Sequence, residues 1–120
     1  KGADQKSMLD LAKEIEDLAE KARQRTIDIG DLKGGTFTIT NYGSIGGLFG
    51  TPIINPGECA ILGIGRMVEK PVAVHGQVNI RKILPLSVTF DHRIVDGAEV
   101  ARFVNTVMEH LEDPDLLLVE

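Results

Sequence analysis

Apolar side chains recur at helical spacing near the start of the chain. Leu11, Ile15, Leu18, Ala19 and Ala22 fall on one stripe, and Lys13, Glu14, Asp17, Glu20 and Lys21 on the opposite face. Ser7, with Asp10 three residues on, supplies a helix-start signal. This pattern predicts an amphipathic helix over residues 6–25, packed by its apolar stripe against a core. After the turn-rich Asp31-Leu32-Lys33-Gly34-Gly35 the period drops to two. Thr36-Phe37-Thr38-Ile39-Thr40 alternates threonine with large apolar residues, as a half-buried strand with one hydroxyl-bearing face would. The glycine-rich run 43–50 lacks the Lys and Ser/Thr of a phosphate loop and is read as chain turning. Ala60 to Ile64 and Pro71 to Val74 are further strand candidates, and His75-Gly76 is a hairpin tip before Val78 and Ile80. A strand from Ile83 to Phe90 runs into Asp91-His92-Arg93-Ile94-Val95-Asp96-Gly97. Ala101, Val104, Val107, Met108 and Leu111 then mark a last helix, capped by Asp96, with Glu99 in its first turn and Pro114 past its end. Helix, several strands, then helix predicts an α/β sandwich with a mixed sheet covered on one side.

Composition narrows this picture by exclusion. A chain of 120 residues can hold one modest core, and 42% apolar with 26% charged residues suggests neither disorder nor a fibre. A net charge of −5 without any run of Lys or Arg leaves no electrostatic footprint for nucleic acid or an anionic membrane. No stretch approaches the roughly 20 apolar residues of a membrane span, and no signal-peptide series is present. The chain opens at Lys1 and enters a helix almost at once, as an excised piece would. Cys59 is alone, so neither an intrachain disulfide nor a multi-cysteine zinc site can form. Its apolar neighbours suit a small buried hydrophobe better than a reactive thiol.

Among the three histidines, His75 belongs to the hairpin tip and His110 to a helix end, both surface positions. His92 differs, because it falls at a strand-to-helix connection, beside Asp91 and four residues before Asp96. An imidazole titrating at about 6.5 suits general-base work at neutral pH, provided a carboxylate or backbone carbonyl fixes its tautomer. The same trio also suits a purely structural hydrogen-bonded turn, and on these residues alone both readings stand. One His and two Asp residues without a second clustered His argue against a metal site.

Asp91-His92-Arg93-Ile94-Val95-Asp96-Gly97-Ala98 resembles the signature of dihydrolipoamide acyltransferases, the core subunits of 2-oxo acid dehydrogenase complexes. It is more distantly similar to the His-x-x-x-Asp-Gly motif of chloramphenicol acetyltransferase. Gly34-Gly35-Thr36-Phe37-Thr38-Ile39-Thr40-Asn41, Thr51-Pro52-Ile53-Ile54-Asn55 and Ala60-Ile61-Leu62-Gly63 look like further segments of that family, in order and spacing. The resemblance reaches from the first helix to Leu116-Leu117-Leu118. It implies a chloramphenicol-acetyltransferase-like sandwich, a mixed β-sheet covered by helices, of which residues 1–120 form the C-terminal half. A full family domain is about twice this length, within the usual domain range, and its first half helps form the substrate channel. No Asp-Lys-Ala lipoyl-attachment motif occurs, so the lipoyl and subunit-binding domains lie outside this chain.

The activity implied is acyl transfer between dihydrolipoamide and coenzyme A by thioester exchange, with coenzyme A as substrate, the lipoyl group carried on another domain, and no metal. By resemblance, His92 takes the proton of the attacking thiol, the Thr40 hydroxyl donates to the oxyanion, and Asp96 shapes the His-bearing loop through an ion pair. Helix capping suits Asp96 equally well. Asp91 and Arg93 match the motif without an assigned task, and no residue is assigned to coenzyme A. A homotrimer is implied, with His92 of one chain meeting Thr40 of its neighbour. Trimers build cores of 24 or 60 copies, and the tail Leu116-Leu117-Leu118-Val119 resembles the one that joins them. The implied partners are the 2-oxo acid decarboxylase/dehydrogenase and dihydrolipoamide dehydrogenase components, in bacterial or archaeal cytoplasm or the mitochondrial matrix. Asn41-Tyr42-Gly43-Ser44-Ile45-Gly46-Gly47 looks more like acetyl- or branched-chain-specific members than succinyl-specific ones, with acetyl preferred. Two alternatives stand beside this: a non-catalytic assembly fragment of such a core, and a chloramphenicol-type O-acyltransferase. Asp91, where the latter tends to carry a second His, speaks against it. The isolated segment is expected to turn over weakly or not at all.

Overall fold

The structure is a computed structural model and describes residues 1–118. The chain forms two units, residues 1–35 and 36–120.

The first unit is built on helix α1, Met8–Arg23. Its start is as the sequence predicts: the Ser7 side chain accepts a hydrogen bond from the Asp10 N–H, satisfying one of the free donors of the first turn. Lys6 pairs with Glu14 and holds its carboxyl below the ordinary range. The apolar stripe is only partly enclosed; Leu11, Leu18 and Ala19 are half-buried while Ile15 remains 66% exposed.

The second unit carries a three-stranded sheet of β1 (Thr38–Asn41), β2 (Ala60–Ile64) and β5 (Leu86–Phe90), in the order β1-β2-β5. β1 runs parallel and β5 antiparallel to β2, so the sheet is mixed. A separate hairpin pairs β3 (Val68–Val74) with β4 (Gln77–Ile83). His75 and Gly76 connect them with φ of 49° and 77°, the two positive values that a type I′ turn needs to match strand twist. The expected strand from Ile83 to Phe90 is in fact two, because Ile83 closes β4 and β5 starts at Leu86. Pro85 lies between them; it has no N–H for a ladder, and its carbonyl accepts from the Gly65 N–H at 2.9 Å.

Register sorts the sheet into two faces, since alternate residues of a strand point to opposite sides. Ile39, Ala60, Leu62, Val88 and Phe90 share one face; Thr38, Thr40, Ile61, Gly63, Ser87 and Thr89 share the other. The first face meets helix α2, Gly97–Glu112, and the rings of Phe37 and Phe103 pack at 5.6 Å. The second is the hydroxyl-bearing face that the threonine alternation anticipates. Ala60, Ile61 and Leu62 of the central strand are the buried apolar residues among those described, whereas Ile39, on the edge strand, is 63% exposed. A 3-10 turn over Pro114–Leu118 follows α2. Of the tail Leu116-Leu117-Leu118-Val119, Val119 lies outside the described residues.

Candidate active site

His92 stands two residues beyond β5, in a turn that its own neighbours tie down. The Asp91 N–H donates to the Cys59 carbonyl at 2.8 Å, fixing the turn to the entry of β2, and the Asp91 carbonyl accepts from Ile94 and Val95. The Asp91 carboxylate takes the Arg93 guanidinium in a two-pronged contact, 2.9 Å from Nε and 2.6 Å from Nη2, and also accepts from the Arg93 N–H at 3.0 Å. Charge-assisted forks of this kind are stronger than neutral hydrogen bonds. The hydrogen bonds from Arg93 hold the Asp91 carboxyl down at about 2, and the same contact raises Arg93.

Asp96 closes the turn. Its side chain accepts from the Glu99 N–H at 2.8 Å and the Glu99 side chain accepts from the Asp96 N–H, a reciprocal capping box that starts α2. The capping role foreseen for Asp96 is therefore present, while the ion pair is not found among the described residues. Both flanking carboxylates are thus committed elsewhere, and His92 has no hydrogen-bond partner among the described residues. Its exposed ring lies beside Phe90, with centroids 5.6 Å apart. Of the other histidines, His75 is exposed at its hairpin tip, and His110 is half-buried with its ring nitrogen 2.8 Å from the Thr106 carbonyl.

Thr40 is half-buried on the hydroxyl-bearing face and lines an open groove of about 510 Å3, together with Tyr42, Phe49, Pro52, Ile53 and Ile61. No charged side chain lines this groove. The glycine-rich run does turn the chain, and it also packs: the Arg66 N–H donates to the Gly47 carbonyl at 2.8 Å, and a Cβ on Gly65 would meet the Leu48 carbonyl oxygen at 1.9 Å. On the same face as Thr40, the Thr38 hydroxyl donates to Glu58 at 2.6 Å and accepts from Asn55 at 2.7 Å. Tyr42 and Ser87, joined by a 2.9 Å hydrogen bond, were invisible as site residues in the sequence. The available signal was the density of glycines around Tyr42, which marks a bulky group held close to backbone.

One chain does not bring Thr40 and His92 together. Thr40 is in register with Gly63 and Ser87, whereas His92 follows Phe90, the partner of Ala60 at the other end of the sheet. Three residues along a strand and two strand spacings separate Thr40 from Phe90, on the order of 14 Å, before the turn begins.

With this geometry described, comparison with known proteins places the chain. Residues 1–119 match the family model described as 2-oxoacid dehydrogenases acyltransferase (catalytic domain). The chain belongs to this family. It is 49% identical over 117 residues to the dihydrolipoyllysine-residue succinyltransferase component of the 2-oxoglutarate dehydrogenase complex of Haemophilus influenzae, covering 98% of this chain and 29% of that one. Among solved structures it is similar to the dihydrolipoamide acetyltransferase of Azotobacter vinelandii, studied for the role of a serine, a histidine and an asparagine in its catalytic mechanism. There the TM-score is 0.89 at 43% identity, covering 96% of this chain and 47% of that one. A structure of the cubic core of the pyruvate dehydrogenase multienzyme complex matches with the same TM-score, identity and coverage. The chain thus spans less than a third of the curated relative's length and about half of the solved chains. The expected chloramphenicol-acetyltransferase-like architecture agrees with these matches.

Proposed function

We propose that this chain carries the acyl-transfer centre of a 2-oxo acid dehydrogenase complex, moving an acyl group between a dihydrolipoyl thiol and coenzyme A. The observation that carries this is one of spacing. In the Azotobacter acetyltransferase the serine precedes the histidine by 52 residues and the asparagine follows it by four. Thr40 precedes His92 by 52 residues here, and Asp96 follows it by four. The serine is replaced by another hydroxyl. The asparagine is replaced by aspartate, whose side-chain oxygen serves the helix cap.

In the exchange, the attacking thiol gives its proton to His92 as sulfur bonds to the thioester carbonyl carbon. The resulting oxyanion accepts a hydrogen bond from the Thr40 hydroxyl. Collapse breaks the original carbon–sulfur bond, and the departing sulfur takes the proton back from His92. A base is needed because a thiol near 8.5 is only a few per cent ionised at neutral pH. A donor aimed at the oxyanion contributes about 3 kcal/mol of transition-state stabilisation. The separation of Thr40 from His92 within one chain supports a site completed by a second copy, as in a trimer that assembles into a larger core. Coenzyme A and the lipoyl group are substrates in this scheme, the latter brought by a domain outside residues 1–120. The partner enzymes are the decarboxylase and dihydrolipoamide dehydrogenase components, in bacterial or archaeal cytoplasm or the mitochondrial matrix.

Acetyl is the acyl group we assign, on the loop Asn41 to Gly47 and the uncharged lining of the Thr40 groove. Succinyl is the second reading, supported by the succinyltransferase components among the chain's relatives, while the acetyltransferase component of Acholeplasma laidlawii is 49% identical over 119 residues, the same identity as the Haemophilus succinyltransferase. The test is coenzyme A-dependent acyl transfer to dihydrolipoamide in the full-length protein, with acetyl- and succinyl-coenzyme A compared. His92→Ala should lower kcat by roughly 100- to 10,000-fold, and Thr40→Ala by roughly 100-fold, with particle size unchanged. Undiminished turnover by His92→Ala overturns the mechanism. A large but inactive wild-type particle points to the assembly reading, and a higher kcat/KM on succinyl-coenzyme A reassigns the acyl group.

A further inference from the structure

The ring of Tyr42 sits in a slot made by three glycines, two from the loop that follows it and one from β2. A Cβ added to Gly63 would meet the ring at 2.7 Å and the phenol oxygen at 2.9 Å; one on Gly47 would meet it at 3.1 Å, and one on Gly50 at 3.3 Å. Both segments therefore give up side chains where this ring lies. Gly63 is the cross-strand neighbour of both Thr40 and Ser87, so the phenol fills the hydroxyl-bearing face beside Thr40. At its far end the phenol donates to the Ser87 hydroxyl at 2.9 Å, and the Tyr42 N–H donates to the Ile64 carbonyl at 3.1 Å. The residue is held at its backbone and at its tip, and it lines the same groove as Thr40.

From these contacts we infer that Tyr42 is the positioning residue of the Thr40 groove and sets the size of the acyl group the groove admits. The inference rests on the proposed acyl-transfer function. A ring fixed over Gly63 removes free volume beside the Thr40 hydroxyl, which restricts the rotamers open to that side chain and keeps water from the acyl carbon. Its phenol end, bonded to Ser87, occupies further space on the same face. A smaller residue at position 42 opens that space, because the surrounding glycines carry no side chains to refill it. Packed interiors close such vacancies only in part.

The experiment measures kcat and KM of the full-length protein with acetyl-coenzyme A and with isobutyryl-coenzyme A, dihydrolipoamide being the acceptor. Tyr42→Ala should lower kcat on acetyl-coenzyme A about tenfold through misplacement of Thr40. It should raise the isobutyryl-to-acetyl ratio of kcat/KM by about tenfold, as the added room for methyl groups requires. Tyr42→Phe keeps the ring and loses only the bond to Ser87, so its acyl ratio should stay that of the wild type. If Tyr42→Ala does not assemble, Tyr42→Leu reads the same ratio with more of the apolar volume retained. An assembled variant lacking the ring whose acyl ratio is unchanged overturns the inference. Failure of the parent reading looks different: Thr40→Ala would turn over as fast as wild type while the ratio still shifts at position 42. A wild type without any acyl transfer would remove both.

Discussion

Around His92 nearly every hydrogen bond joins residues within five positions of each other: Asp91 with Arg93, Ile94 and Val95, then Asp96 with Glu99 and Val100. The one longer tie is the Asp91 N–H on the Cys59 carbonyl. Around Thr40 the contacts cross the sequence. Tyr42 reaches Ser87 across 45 positions, and Thr38 reaches Glu58 across 20. The turn is thus a local device that its own short stretch can specify, whereas the groove exists only once three strands and the glycine-rich loop have met. Local devices lose little beyond themselves when one bond is cut; assembled ones lose the packing of several segments.

The comparison can be broken most forcefully at Gly63. Gly63→Ala should force the Tyr42 ring from its slot and cost about 1–3 kcal/mol by overpacking. Thermal unfolding would measure it, and the cost should largely vanish when Tyr42→Ala is made together with it. Equal cost with and without the ring would mean the slot is not a single packed unit.

A smaller loss, about 1 kcal/mol, is expected from Asp96→Ala, which removes the cap of α2 and nothing across the sheet. Asp96→Asn should recover most of it, because an amide oxygen can accept the Glu99 N–H; a double-mutant cycle with Tyr42→Ala should be additive. Strong coupling between the two would show the turn and the groove to be one structure.

The smallest effect is that of pH on the Asp91–Arg93 fork. The folded carboxyl lies at about 2 against an ordinary 3.8, so its stabilising contribution is present above the ordinary value and lost as pH falls through the folded one. The turn should therefore loosen between about pH 4 and pH 2 and stay unchanged at higher pH. The carboxyl carbon shift of Asp91 follows this directly, and Arg93→Ala should return its midpoint to the ordinary range. A wild-type midpoint near 4 would mean the fork is open in solution.

The same contrast governs what could be read from the sequence. Ser7 with Asp10 and Asp96 with Glu99 announced both helix starts because a cap is a matter of three or four consecutive residues. The alternating threonines gave the hydroxyl-bearing face for a similar reason. The break between Ile83 and Leu86 has a mark in the sequence, Pro85, which cannot donate to a ladder, but the apolar run around it masks that mark. Tyr42 and Ser87 carry no such local mark, because nothing nearby pairs a loop tyrosine with a serine 45 residues on. The commitment of Asp91 to Arg93 was equally hidden: three charged or titratable neighbours in a row allow several pairings, and only the turn geometry selects one.

The distance along the sheet between Thr40 and His92 has a genetic consequence. On the proposed two-chain site, a protein damaged only at position 40 still contributes a sound histidine, and one damaged only at position 92 still contributes a sound hydroxyl. Two individually dead alleles expressed in one cell would then complement each other, restoring function wherever their products sit side by side in the right order.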